Sequence, residues 1–326
     1  MLRVIAKGVV HKQSPALIAG ICRTAGGDLL VCFNSGGDLS AGQQAAVVRS
    51  ADGGRTWGRP EAVFESIFTR GGVEAGCSLT RLSSGRLLAP YADGYYLHPG
   101  TSNHDRRALL FCPLSDDGGA TWTHGRAQCY EGLEAFAFGR VVELPDGELL
   151  LPLWGAYDRQ GQWVPAVLRS GDQGETWGEW APIAPHGDET PIVRLPDGRI
   201  LALLRDYDAG DSSRPFYVAH SADGGRTWSA PRRVALHGTS PSLHLSGDQR
   251  LIAGYRSTLP GCNCQLTTSG DGGESWEFAL ELELPFGHWH YGGYPVVEDL
   301  PDGRLIAVFH NADPAWYVAY NILEWG

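Results

Sequence analysis

A carboxylate and a phenol occupy equivalent places in two separate segments of this chain. Glu189 stands six residues before the leucine of "LPDG" in "ETPIVRLPDGRILALLR". Tyr294 stands six residues before the same leucine in "YPVVEDLPDGRLIAVFH". A carboxylate beside a phenol can take its proton, which an unassisted phenol of pKa about 10 does not give up at neutral pH. Ten residues after the first leucine comes Arg205, and ten after the second comes His310. The related segment "LHLSGDQRLIAGYR" puts Arg256 at the corresponding point, counting one extra turn residue, and Thr239 at the point equivalent to Glu189. Guanidinium groups at such positions suit a bidentate grip on an anion. Gly76 and Phe138 take the place of Glu189 in two further segments, Trp154 that of Arg205 in one, and Asp38 lies in a Gly/Ser-rich loop after the first segment. His288 and His290, in the aromatic loop "FGHWHYGGY", have spacing that could suit a metal, but no third ligand accompanies them. Stacking or hydrogen bonding to a sugar is the preferred role for His290, and neither metal nor cofactor is expected. Glu74, Arg140 and Asp208 are further candidates without a rank.

These residues must be positioned by a repeat. "SADGGRTW" occurs at Ser50–Trp57 and again at Ser221–Trp228. Looser copies are "SDDGGATW" (Ser115–Trp122), "SGDQGETW" (Ser170–Trp177) and "SGDGGESW" (Ser269–Trp276). The terminal tryptophans recur at intervals of about 50–65 residues, the size of a four-stranded sheet with its loops. The chain also carries six apolar–turn–apolar segments, three of them with Asp-Gly at the turn, a strong hairpin signal. The spacing therefore predicts an all-β, six-bladed β-propeller of four-stranded antiparallel blades in one domain over 1–326. The sixth unit lacks a Ser-x-Asp motif and ends one strand short, so the strand at residues 2–10 is expected to close it against Trp316–Asn321 and cover its edge. Within a blade the Asp-Gly hairpin and the Ser-x-Asp turn fall on one rim. The five motif aspartates are then turn formers, and the opposite rim collects Asp38, Glu189, Arg205, Arg256, Tyr294 and His310.

Composition agrees with many tight turns: 44 Gly, 20 Pro and 11 Trp in 326 residues, with a single Met. The net charge of −11 argues against a nucleic-acid partner. No apolar run approaches the roughly 20 residues of a membrane helix. The N-terminal "MLRVIAKGVVHK" reads as a strand, not a leader, and a cytoplasmic location is expected. The seven cysteines are read as reduced, buried thiols.

The five Ser-x-Asp-x-Gly-x-Thr/Ser-Trp turns resemble the Asp boxes, or BNR repeats, of the sialidase (neuraminidase) superfamily, and the resemblance covers essentially the whole chain. It implies that Tyr294 is the nucleophile and Glu189 its base. It implies that Asp38 is the acid/base, and that Arg205 and Arg256 bind the substrate's acidic group. Such enzymes depart from the usual pair of catalytic carboxylates. At the place where the family has its first arginine this chain has Gln13, followed two residues later by Pro15. The implied activity is an exo-glycoside hydrolase releasing an acidic terminal sugar, sialic acid or a relative, from a glycan or small-molecule substrate. The alternatives are an inverting glycosidase or polysaccharide lyase on the same scaffold, and a non-catalytic carbohydrate- or protein-binding propeller.

Overall fold

The computed structural model describes all residues except 13–16, 37–40, 76–77, 97–105, 124–133, 157–162, 209, 259–262, 278–279 and 314. The described residues form strands and turns, with no helix among them and hence none able to cross a membrane. The architecture is all-β. Repeat one is a four-stranded antiparallel sheet of Leu17–Arg23, Leu29–Asn34, Ala45–Ser50 and Glu61–Phe64 in that order. Repeat six has Gly293–Asp299, Leu305–Asn311 and Tyr317–Trp325, and takes its fourth strand from Leu2–Lys12. That closing pair runs from Leu2 opposite Trp325 to Lys12 opposite Tyr317.

The repeats between are not all separate sheets. Arg232–Leu245 is one 14-residue strand. Its first half pairs with Pro215–Ser221 as the outer strand of repeat four, and its second half pairs with Leu251–Ser257 as the first strand of repeat five. Repeats two and three are joined where Ala108 pairs in parallel with Glu134. Each has a first strand that pairs along one length, breaks, and pairs again. An extended lead-in of that kind offers free N–H and C=O groups to the neighbouring repeat.

The Ser-x-Asp motifs are turns held by their own side chains. In the first, Thr56 donates its backbone N–H to Asp52 Oδ1 at 2.9 Å and its hydroxyl to Oδ2 at 2.6 Å. Ser50 Oγ donates to Asp52 Oδ1 at 2.8 Å and accepts from the Gly54 N–H at 2.9 Å. The other four boxes repeat this network. Gly54 must be glycine: its φ is +86°, and a Cβ there would lie 2.9 Å from Ile306 Cδ1. The same close approach sets Gly119 on Leu30, Gly174 on Leu88, Gly225 on Leu150 and Gly273 on Leu201. Each box thus packs on the second strand of the preceding repeat, and the first repeat packs on the sixth.

All five box aspartates are exposed or nearly so, and their hydrogen bonds hold them acidic. Asp52 and Asp271 are lowered to about 2, chiefly by the hydroxyl and N–H of Thr56 and Ser275. A carboxylate with a depressed folded-state pKa contributes stability above its unfolded value near 4 that is lost as pH falls toward the folded one. The melting temperature is therefore expected to drop between pH 4 and pH 2, and Asp223→Ala to lower it by a few degrees at pH 7. Calorimetric scans across that range check both.

The four described cysteines, Cys22, Cys32, Cys112 and Cys264, are buried and form no disulfide among the described residues; Cys77, Cys129 and Cys262 lie outside them.

Candidate active site

In repeat four the first strand pairs regularly from Ile192 to Arg194, and Glu189 stands just before it, where the Asp188 N–H donates to the Arg205 carbonyl at 3.3 Å. In repeat six, Gly293 pairs with His310 and Val296 with Val308, with a shift between them. Tyr294 lies in this bulge with φ +51°. A bulky residue rarely takes a left-handed backbone, and the following Pro295 restricts it further. Such strain persists where the surroundings fix it, commonly at functional sites. In repeat five the bulge falls at Ser240, φ +53°, before Pro241. This corrects the equivalence of Thr239 with Glu189 and Tyr294. The repeat-five turn begins at Ser246, whose N–H donates to the Arg250 carbonyl as Leu195 does to Arg199 and Leu300 to Arg304. It has no extra residue: Gln249, φ +65°, replaces the turn glycine. Counting from Ser246, six back is Ser240 and ten forward is Arg256.

The bulge in repeat six and the irregular lead-in of repeat four bring Tyr294 and Glu189 together. The Tyr294 hydroxyl donates to Glu189 Oε1 at 2.6 Å, and Arg205 Nη1 is paired with the other carboxylate oxygen. Arg205 also lies 3.4 Å from Asp188 Oδ2 and 3.4 Å from Asp206 Oδ2. Glu189 and Asp188 are buried, while Arg205 and Tyr294 are partly so. Burial first, then the Glu189 charge, hold the Tyr294 phenol well above its ordinary pKa, against the pull of Arg205. The resting phenol is neutral, with a carboxylate oxygen already in line to take its proton. Burial likewise raises the Asp188 carboxyl, with Arg205 opposing.

Arg256 and His310 adjoin this pair. Arg256 Nε donates to Thr239 Oγ1 at 2.9 Å and Nη1 to the Gly292 carbonyl at 3.4 Å, and the guanidinium lies 4.8 Å over the Tyr291 ring. His310 is fully buried, its ring 5.7 Å from that of Tyr294 and 5.8 Å from Trp316. Burial and the Arg256 charge lower its pKa to about 3, so the imidazole is neutral. Phe138 packs against Tyr294 from the third repeat at 6.0 Å. His290 is exposed, and its backbone N–H donates to Asn311 Oδ1 at 3.2 Å. Asp38 and Gln13 lie outside the described residues, as does Gly76. No cluster of three metal-ligating side chains occurs among the described residues.

The unranked candidates separate. Glu74 acts on Tyr294 electrostatically, raising its pKa. Arg140 serves instead to tie repeats one, three and six together, since its Nη2 donates to the carbonyls of Ile21 at 2.6 Å and Val297 at 2.9 Å and to Glu298 at 3.0 Å. Asp208 is exposed in a turn. Sequence reasoning missed Asp188 and Asp206, although each is the immediate neighbour of a residue it singled out.

Comparison with known proteins gives a consistent set of likenesses. Residues 114–240 match the family model of a BNR repeat-like domain. A sialidase of Micromonospora viridifaciens is 28% identical over 68% of this chain and 36% of its own length. A sialidase of Bacteroides fragilis is 25% identical over 88% of this chain and 59% of its own. The chain thus spans less than two thirds of either relative. Among solved structures, a protein of unknown function from Dyadobacter fermentans superposes with a TM-score of 0.85 at 20% identity, covering 100% of this chain and 99% of that one. The Hadza microbial sialidase Hz136 gives 0.76 at 19% identity, over 95% and 66%. These two likenesses are of fold.

Proposed function

Because the chain is a member of the sialidase/BNR superfamily, we propose that it is an exo-acting glycoside hydrolase that removes a terminal sugar from a glycan with retention of anomeric configuration. Its six repeats are the blades of a β-propeller closed by Leu2–Lys12, with the boxes on one rim and the site on the other. The packing of Gly54 on Ile306 supports that closure. The observation that carries the activity is the 2.6 Å hydrogen bond from Tyr294 to Glu189, made by a tyrosine held in a left-handed bulge.

In the first step the Tyr294 oxygen attacks the anomeric carbon, its proton passes to Glu189 Oε1, and the bond to the leaving oxygen breaks. Arg205, paired with the other Glu189 oxygen, offsets the charge of the site throughout. Asp38 is the proposed acid that protonates the leaving oxygen and then the base that activates water. In the second step water gives a proton to Asp38 and displaces the tyrosyl oxygen, which takes its proton back from Glu189, so two inversions give net retention.

Proton NMR of the first product released from an aryl glycoside tests this reading. The protons that report the anomeric centre (the anomeric proton of an aldose, the C3 protons of a 2-keto sugar) are expected to show the configuration of the substrate. An inverted first product would sink the Tyr294 mechanism and leave an inverting glycosidase; an unsaturated sugar product would make the protein a lyase.

A further inference from the structure

At four junctions between repeats, an arginine or histidine of one repeat reaches a carbonyl in the box of the next. Arg49 Nη2 donates to Gly118 at 2.7 Å, Arg86 Nη1 to Gln173 at 3.3 Å and Arg169 Nη2 to Gly224 at 2.9 Å. His220 Nε2 lies 3.0 Å from the Gly272 carbonyl. Three of the four stand at one register: Arg49 opposite Leu30, Arg169 opposite Leu150 and His220 opposite Leu201. The corresponding residue of repeat five is Thr268, opposite Ile252. Repeat six, the next along, has no box. Leu305 pairs with Leu323 as Leu29 pairs with Ser50, so Trp325 takes the place of the box aspartate. Both partners of the contact are thus replaced at the same junction, and a cavity of about 540 Å³ lies there.

The walls of this cavity include Trp325, Leu266 and Leu280 and the polar Arg250, Thr268 and Glu277. Cavities of about 300–1,000 Å³ with apolar and aromatic walls and a few polar groups are the usual size for a small ligand. We propose that this one is a second carbohydrate site, which holds a pyranose unit of a glycan apart from the reacting centre. Arg250 lies 4.1 Å over the Trp325 ring, with its Nε 3.1 Å from Asp248. A guanidinium only donates, an ionised carboxylate only accepts, and the Thr268 hydroxyl does both. A ring of hydroxyls, each donor and acceptor, satisfies all three together, while its C–H face rests on the indole and the leucines. A wholly apolar ligand would cover the same three groups without partners, at a cost. The strand Leu251–Ser257 separates the two sites. Arg250 precedes it at the turn, and Arg256 stands six residues on, about 20 Å away at the rise of a strand.

The test is an array of animal, plant and bacterial-surface glycans, followed by calorimetric titration of the oligosaccharide bound best. Binding is read in Tyr294→Phe protein, so that turnover does not consume the ligand, and again with Thr268→Arg or Glu277→Ala added. Thr268→Arg places in the cavity the side chain that repeats one and three carry at this register. It is expected to weaken binding about tenfold or more by filling the site. Glu277 is exposed, so Glu277→Ala should leave the melting temperature unchanged and weaken binding about three- to tenfold, the loss of one hydrogen bond. In the wild-type background neither substitution should change kcat/KM on a 4-nitrophenyl glycoside, because both lie far from Tyr294 and Glu189. Binding that both variants keep at full strength places the sugar elsewhere and overturns the proposal. So does the absence of any bound glycan, an outcome that leaves the hydrolase reading, which rests on turnover, untouched.

Discussion

Tyr294→Phe is expected to lower kcat/KM on the best aryl glycoside by about 10³-fold or more while leaving the fold intact, as for loss of a covalent nucleophile. Only one hydroxyl is removed. The ring keeps its packing against Phe138 and His310, and the bulge keeps Pro295. Glu189 loses the donor to Oε1 but keeps Arg205 on its other oxygen. Far-UV circular dichroism and the melting temperature should therefore change little, and the two measurements together separate a chemical loss from a folding one. Glu189→Gln should fall by about 10²–10⁴-fold, the usual contribution of a general base. A phenylalanine variant retaining a tenth of the wild-type rate would remove Tyr294 from the chemistry, whatever the fate of Glu189.

The pairing of these two residues was legible because the hairpin turns are a ruler. Leu195 and Leu300 each donate to the arginine four residues on, so equal offsets from them mean equal places in the sheet. The ruler fails in repeat five, where Ser246 and Gln249 stand at the leucine and glycine positions of the turn and Gln249 takes a left-handed backbone, so the count from sequence falls on Thr239, one residue short of the bulge at Ser240. The Ser-x-Asp motifs were legible as turns because Asp, Gly and Thr are spaced for a local network that needs nothing from the rest of the chain. The closing strand was legible from one unpaired edge and one spare strand. Sequence could not show that Arg232–Leu245 runs unbroken from one repeat into the next, since a 14-residue extended stretch has the same alternation as two short strands. Nor could it show the company of Arg205. Asp188 and Asp206 are one residue from Glu189 and Arg205, and in an ideal strand such neighbours point to opposite faces. They converge on one guanidinium because Asp188 and Glu189 lie in irregular backbone ahead of the strand Ile192–Arg194 and Asp206 takes a left-handed backbone, φ +51°, so neither pair follows strand alternation.

That convergence makes Arg205 the residue on which the stability of the site turns. Arg205→Met keeps most of the side-chain volume but leaves Asp188 and Glu189 buried without their cation. Breaking a buried pair from one side costs about 3–5 kcal/mol, since the remaining charge is uncompensated. Thermal or urea unfolding at pH 7 should show a loss of that order, larger than for any single box aspartate. The dependence on pH fixes the cause. Burial already raises the Asp188 carboxyl, and Arg205 is the opposing influence, so its removal raises that carboxyl further. A buried acid whose folded pKa lies above its unfolded value is penalised at pH above the unfolded value, and the penalty disappears as protonation relieves it below. The difference between wild type and Arg205→Met should therefore be largest at pH 7 and shrink as pH falls toward 4. Adding Asp188→Asn should return part of the loss at pH 7, because the amide needs no cation and occupies the same volume. A loss that is independent of pH and unaffected by Asp188→Asn would mean that Arg205 stabilises the chain through packing alone, and that the charges around Glu189 are balanced by other means.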